Sequence, residues 1–142
     1  MKIPEDMYSH VFELSTQLMN ASKSEDLKSY WRFYDELRLY CEEESKSGRD
    51  HPFLWETLAD FTNDNGVAVA LYEKALDLAN RSNAVGYQAS IQIALAERFK
   101  DIGDTKQALK YALEANTNAK GLDDLDLRRQ ISEFLLSESK NI

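Results

Sequence analysis

Two stretches of this chain resemble each other, and alanines at helical spacing carry the resemblance. One runs Trp55-x-x-Leu58-Ala59, a turn, then Tyr72-Glu73-Lys74-Ala75-Leu76. The other runs Leu95-Ala96-x-x-Phe99-x-x-x-Gly103-Asp104, then Ala108-x-x-x-Ala112-x-x-Ala115. Residues three and four apart share one face of a helix. Alanine on that face lets a second helix approach closely, and large residues on the preceding segment fill the groove between neighbours. A chain of this pattern folds as paired helices. With 5 Gly and 2 Pro among 142 residues, it has few breakers to interrupt them.

Apolar periodicity predicts seven helices. The first runs from about Pro4 to Ala21, with Met7, Val11, Leu14 and Leu18 on one face and Tyr8, Phe12 and Met19 widening it. The second begins at Ser22-Lys23-Ser24-Glu25, a capping-box pattern. Its main stripe is Leu27, Trp31, Tyr34, Leu37 or Arg38, and Cys41, with a second strip of Tyr30, Phe33 and Tyr40. The third starts at Asp50-His51-Pro52, where Asp or His caps and Pro fits the first turn. Asn63-Asp64-Asn65-Gly66 is a turn before the fourth, about Val67 to Asn80. The fifth spans about Ala84 to Asp101. The sixth is capped by Asp104 or Thr105 and reaches about Ala119, and the seventh runs from about Asp124 to Ser137. No segment alternates as a strand does.

The two matching stretches resemble the tetratricopeptide repeat over about residues 51–121, in a long-period form. That family places Trp, a Leu-Ala or Leu-Gly pair and an aromatic on the first helix of a unit, then a Gly-Asp turn and small residues on the second. Here Ala75 and Ala115 are 40 residues apart, against about 34 in the standard repeat. The terminal Pro is absent, and Ala112 stands where an aromatic is usual, beside Tyr111. The resemblance implies an all-α, single-domain fold over 1–142, a short superhelix of stacked antiparallel pairs. Residues 1–48 would be a divergent N-terminal pair, 51–121 two repeat units, and 122–142 a capping helix and tail.

The net charge is −8, split as −4 over residues 1–50 and −4 over 51–142. An acidic surface repels phosphate backbones and anionic lipid, and it draws in basic proteins. No apolar run approaches the ~20 residues of a membrane span. The start of the chain lacks an apolar signal core, and Cys41 is the single cysteine. The expected setting is a reducing cytoplasm.

Chemical motifs are sparse. His10 and His51 stand apart in sequence, outside any His-Glu-x-x-His pattern. Cys41 adjoins Glu42-Glu43-Glu44, whose charge raises a thiol's pKa and favours a packing role. Aligning Gly66 with the glycine of a calcium loop puts Phe61 and Tyr72 at ligand positions they cannot serve. The cluster Tyr30-Trp31-Arg32-Phe33-Tyr34 covers all sides of a helix, so it cannot all face one core. Tyr30 and Phe33 are therefore candidates for partner contact.

The resemblance further implies an inner surface built by exposed residues of each first helix: Glu56, Asp60 and Asn63, then Ser90, Glu97 and Lys100. Co-chaperone members use Lys and Asn at such positions to clamp a carboxylate, and Glu56, Asp60 and Glu97 have the opposite sign. The expectation is a non-catalytic module without cofactor or metal that binds a basic protein. By analogy it would be a bacterial immunity protein neutralising a toxin domain. One alternative is an adaptor self-associating through its first two helices. Another is an enzyme, which would need a polar pocket with strongly perturbed carboxylates.

Overall fold

Most helix ends in this chain obey one local rule. A computed structural model describes residues 1–140; residues 141 and 142 of the expected tail lie outside them. Seven helices follow in order: α1 Glu5–Lys23, α2 Leu27–Lys46, α3 Pro52–Asp60, α4 Asn65–Arg81, α5 Val85–Ile102, α6 Thr105–Ala119 and α7 Leu125–Ser139. Four of them close with a left-handed residue and a backbone N–H reaching five residues back to a last-turn carbonyl. Gly103 (φ 95°) does this at α5, where Asp104 N–H donates to the Phe99 carbonyl at 2.9 Å. Gly48 serves α2, and Glu25 and Asn83 serve α1 and α4.

The next helix then starts on a side-chain cap. Asp26, Asp64, Asp104 and Asp124 each accept from the N–H three residues on. These acceptors satisfy amides that the first turn leaves open. His51 caps α3 by accepting the Phe53 N–H through Nδ1, with Pro52 in the first turn.

The capping box expected at Ser22 does not form. Helix α1 runs through that position to Lys23, and the Ser24 hydroxyl donates backwards to the Asn20 carbonyl. Asp26 is a stronger cap than a serine inside a continuing helix, so α2 begins at Leu27. The buried stripe of α2 also differs from the expected one. It runs Tyr30, Tyr34, Leu37, Cys41, with Tyr34 half-buried, while Leu27 (70%) and Trp31 (49%) are exposed. This rotation brings two tyrosine hydroxyls onto the end of α3. Tyr30 donates to the Phe61 carbonyl, and Tyr34 pairs with Thr62 at 2.7 Å.

In α1 the expected face Met7, Val11, Leu14, Leu18 is buried, but Tyr8, Phe12 and Met19 do not widen it; they are exposed.

Consecutive helices pack as stacked antiparallel pairs, α1 with α2, α3 with α4, α5 with α6, and α7 follows against α6. The odd helices also touch in series, α1 to α3, α3 to α5 and α5 to α7. Among the described residues the even helices make no such contacts with each other. The odd helices therefore form one continuous layer, backed by the even ones.

Helix α5 sits between two packed regions. Ile91 and Leu95 join the core of α1–α4, while Ala89, Ile93 and Ala96 join that of α6 and α7. A helix apolar on most sides belongs in such a central position. Phe99 and Tyr111 stack nearly parallel at 5.7 Å and contact both cores. Among the described residues no helix is long and apolar enough to cross a membrane.

Candidate acidic groove

The odd-helix layer leaves its open side to solvent, and two adjoining clefts lie along it. The larger, about 700 Å³, runs from α3 to the α6–α7 loop and is lined by Glu56, Tyr87, Ser90, Asp123, Asp124 and Asp126 among others. The smaller, about 390 Å³, is a polar well walled by Glu56, Asp60, Tyr72, Glu97, Arg98 and Gln130. Glu56, Ser90 and Gln130 border both.

Helical spacing explains the well. Glu56 and Asp60 are four apart on α3, and Ser90, Ala94 and Glu97 are four and three apart on α5, so each set shares a face. Asp126 and Gln130, four apart, bring α7 to the same side. Each carboxylate has one neutral hydroxyl or amide partner. Ser90 donates to Glu56, Tyr72 to Asp60, and Gln130 Nε2 to Glu97 at 3.2 Å.

Arg98 is the one cation lining either cleft among the described residues. Its guanidinium is committed to the scaffold, donating to Asn65 Oδ1 at 3.1 Å and to the Ala59 carbonyl at 3.3 Å.

The titration of these groups reflects burial first and neighbouring charge second. Burial raises the Glu56 carboxyl to about 7; the Ser90 hydroxyl pulls it down, and Asp60 pushes it further up. Protein crowding also raises Asp60, against the lowering effects of Tyr72 and Arg98. Asp60 presents surface to water as a residue, yet its carboxylate end is ringed by these groups. Burial raises Tyr87 to about 12, and nearby Glu56 adds to the effect.

The structure brings together Glu56, Asp60, Ser90 and Glu97, four of the residues singled out in the sequence. Asn63 falls elsewhere, beside Ala21, Ser22, Glu25, Leu27 and Tyr30 at the α1–α2 turn. Lys100 turns towards α7, pairing with Glu138 at 2.9 Å and lying over the Phe134 ring at 5.6 Å. Tyr30 is buried against α3, and Phe33 is half-buried beneath the Arg32 guanidinium.

The resemblance assigns residues 122–142 to a capping helix and tail, and so does not single out Asp123, Asp124, Asp126 and Gln130. Helix α7 is the fourth odd helix, so its exposed face extends the same surface. The four-residue step from Asp126 to Gln130 was the available signal. Tyr72 and Arg98 are not singled out either, since a partner across the well is not a sequence neighbour.

Cys41 is buried, and its thiol donates to the Leu54 carbonyl at 3.4 Å. Burial, assisted by Asp50, raises it to about 12, far from a thiolate nucleophile. Among the described residues no group of three or more His, Cys, Asp or Glu side chains is placed to hold a metal ion. No family model, curated protein or solved structure matches this chain.

Proposed function

We propose that this chain is a protein-binding module, without catalysis of its own, whose groove takes a basic segment of a partner. The observation that carries this reading is the imbalance in the groove. Glu56, Asp60, Glu97, Asp123, Asp124 and Asp126 line the clefts, and the one lining cation is spent on the scaffold. A guest Lys or Arg would supply the missing charge. Its arrival favours the ionised form of Glu56, so binding releases a proton near neutral pH.

The stacked pairs, with buried alanines on α4 and α6 and an inner layer of first helices, support reading the array as a short tetratricopeptide-like superhelix. Within that class, an immunity protein covering the basic surface of a toxin domain fits the charge and the size. A reducing compartment suits its single buried thiol.

The test is titration calorimetry with an arginine-rich peptide in two buffers of different ionisation enthalpy at about pH 7. Expected are salt-sensitive binding, proton release, and weakening by Glu56→Gln with Asp60→Asn. Affinity unchanged in that double variant would remove the reading. Co-expression with a basic toxin domain would test the narrower role, which fails if growth is not restored.

A second reading has one observation in its favour. Glu56 is a carboxylate near neutral pKa in a polar well, and it accepts the Ser90 hydroxyl proton. That pair could serve as base and nucleophile. Labelling of Ser90 by a fluorophosphonate, lost in Glu56→Gln, would favour an enzyme; the binding-module reading expects no labelling.

A further inference from the structure

The exposed apolar residues of α1 form a pattern of their own. Tyr8, Phe12, Ser15 and Met19 follow at steps of four, three and four, one face of the helix. Phe12 is 60% exposed and Tyr8 49%, on a helix whose adjoining face is buried. Their rings belong to a series that crosses the odd-helix layer. Phe12 stacks on Tyr8 at 6.0 Å, and Tyr8 on Phe53 of α3 at 5.9 Å. Phe53 meets His51 edge-on at 6.4 Å, and His51 meets Tyr87 of α5 at 5.5 Å. Tyr87 in turn lines the larger acidic cleft beside Glu56 and Ser90, and also a third cleft lined by Ile3, Tyr8 and Ser9. The ring series therefore ends where the acidic strip begins.

We infer that the open side of the odd-helix layer is one bipartite site for a single amphipathic segment of a protein, which lays apolar side chains on the exposed rings of Phe12 and Tyr8 and the half-buried rings of Phe53 and Tyr87, joined beneath by the buried His51, and basic side chains in the Glu56–Asp60–Glu97 well. This rests on the acidic-groove reading and adds a second, apolar determinant with a fixed order. Charge selects the occupant: a purely apolar ligand would leave the carboxylates unmatched, and a purely basic one would leave the rings in water. Aromatic faces add dispersion contact, and a cation beside Tyr87 gains from its ring face. Odd helices spaced 8–10 Å apart put α1 and α7 about 24–30 Å apart. An extended segment of about nine residues covers that span at ~3.3 Å per residue. Glu56, with its neutral-range pKa, makes the basic half of the contact weaken on acidification.

The test uses synthetic nine-residue peptides and the whole chain. One peptide has an arginine-lysine half and a leucine-phenylalanine half, and a second reverses that order. A third is all basic at equal charge, and a fourth alternates the same residues. One of the block peptides should bind about tenfold tighter than the all-basic and alternating ones. Phe12→Ala should erase that preference while leaving the all-basic affinity and the melting temperature unchanged. Tyr8→Ala gives an independent variant of the same determinant.

Equal binding of all four peptides, or block binding indifferent to both variants, overturns the inference. The acidic-groove reading survives that result if Glu56→Gln with Asp60→Asn still weakens the all-basic peptide. If no peptide binds, both fall. If sedimentation shows a dimer of the chain that Phe12→Ala dissociates, a second copy occupies the rings, and the inference is overturned in favour of self-association.

Discussion

Helices α1 and α2 meet differently from α5 and α6. The first pair is filled by Met7, Val11, Leu14 and Leu18 against Tyr30, Leu37 and Cys41. The second is filled by Ala89, Ile93 and Ala96 against Ala108, Ala112, Ala115 and Ala119. Both bury their interfaces, but the alanine pair brings more of its two backbones close together. Its stabilisation comes from that approach, while the first pair relies on the volume of its side chains. The junctions differ in the same sense. Helix α4 lies along α5 closely, whereas α2 meets α3 more loosely, with tyrosine hydroxyls reaching its end. A large-residue interface should be damaged most by truncation, and an alanine interface by enlargement.

The largest effect should come from emptying the first pair. Leu37→Ala is expected to cost about 3 kcal/mol in urea unfolding, because Leu37 has no exposed surface and its loss leaves a cavity. Enlarging the second pair comes next. Ala112→Leu should cost about 2 kcal/mol or more, since Ala112 is wholly buried between two close backbones. A cost near zero for Ala112→Leu would break the contrast, because it would mean α5 and α6 part without penalty.

The groove, which spans the inner side of the odd helices, gives an effect of similar or smaller size that depends on pH. The folded pKa of Glu56 lies above its ordinary 4.5, so the fold holds its proton more tightly than the unfolded chain does. Its stabilising contribution is full below about 4.5, falls as pH rises, and is gone above about 7. Glu56→Gln should therefore leave stability little changed at about pH 5 and raise it by about 2 kcal/mol at about pH 8. A variant that gains nothing at the higher pH would show that water already relieves this carboxylate.

Glu25 ends α1 in the left-handed region, at φ 55°, where side chains are disfavoured. Glu25→Gly should raise stability by about 0.5 kcal/mol, and Asn83→Gly by less, because asparagine tolerates that conformation. Thermal melts of both would sharpen the comparison of helix ends: Gly48 and Gly103 already fit their φ, so Gly→Ala there should destabilise instead.

Local chemistry made much of this legible. The caps at Asp104 and His51 and the stop at Gly103 are readable because each depends on residues within one turn of chain. The alanine faces of α4 and α6 are legible for the same reason, whereas Glu56, Asp60, Ser90 and Glu97 follow only from the resemblance to the repeat family. The exposure of Tyr8 and Phe12 is not legible, because α1 offers two adjoining apolar stripes and periodicity ranks neither. In α2, Trp31 lost its expected place because Tyr30 and Tyr34 could donate to the end of α3, which no spacing reveals. Lys100 left the groove because Glu138 lies within 2.9 Å of it, 38 positions further along the chain.

The sequence by itself determined that the chain is helical, where most of its helices start and stop, and which residues share a face. Those properties follow from backbone sterics and hydrogen bonding over a few residues. Only the tertiary structure decided which face of α1 meets water, that α7 continues the inner layer, and that Arg98 is tied to Asn65 and the Ala59 carbonyl where it lines the groove. These depend on which helix lies opposite, and a period of 3.6 fixes a face relative to its own axis without naming the neighbour.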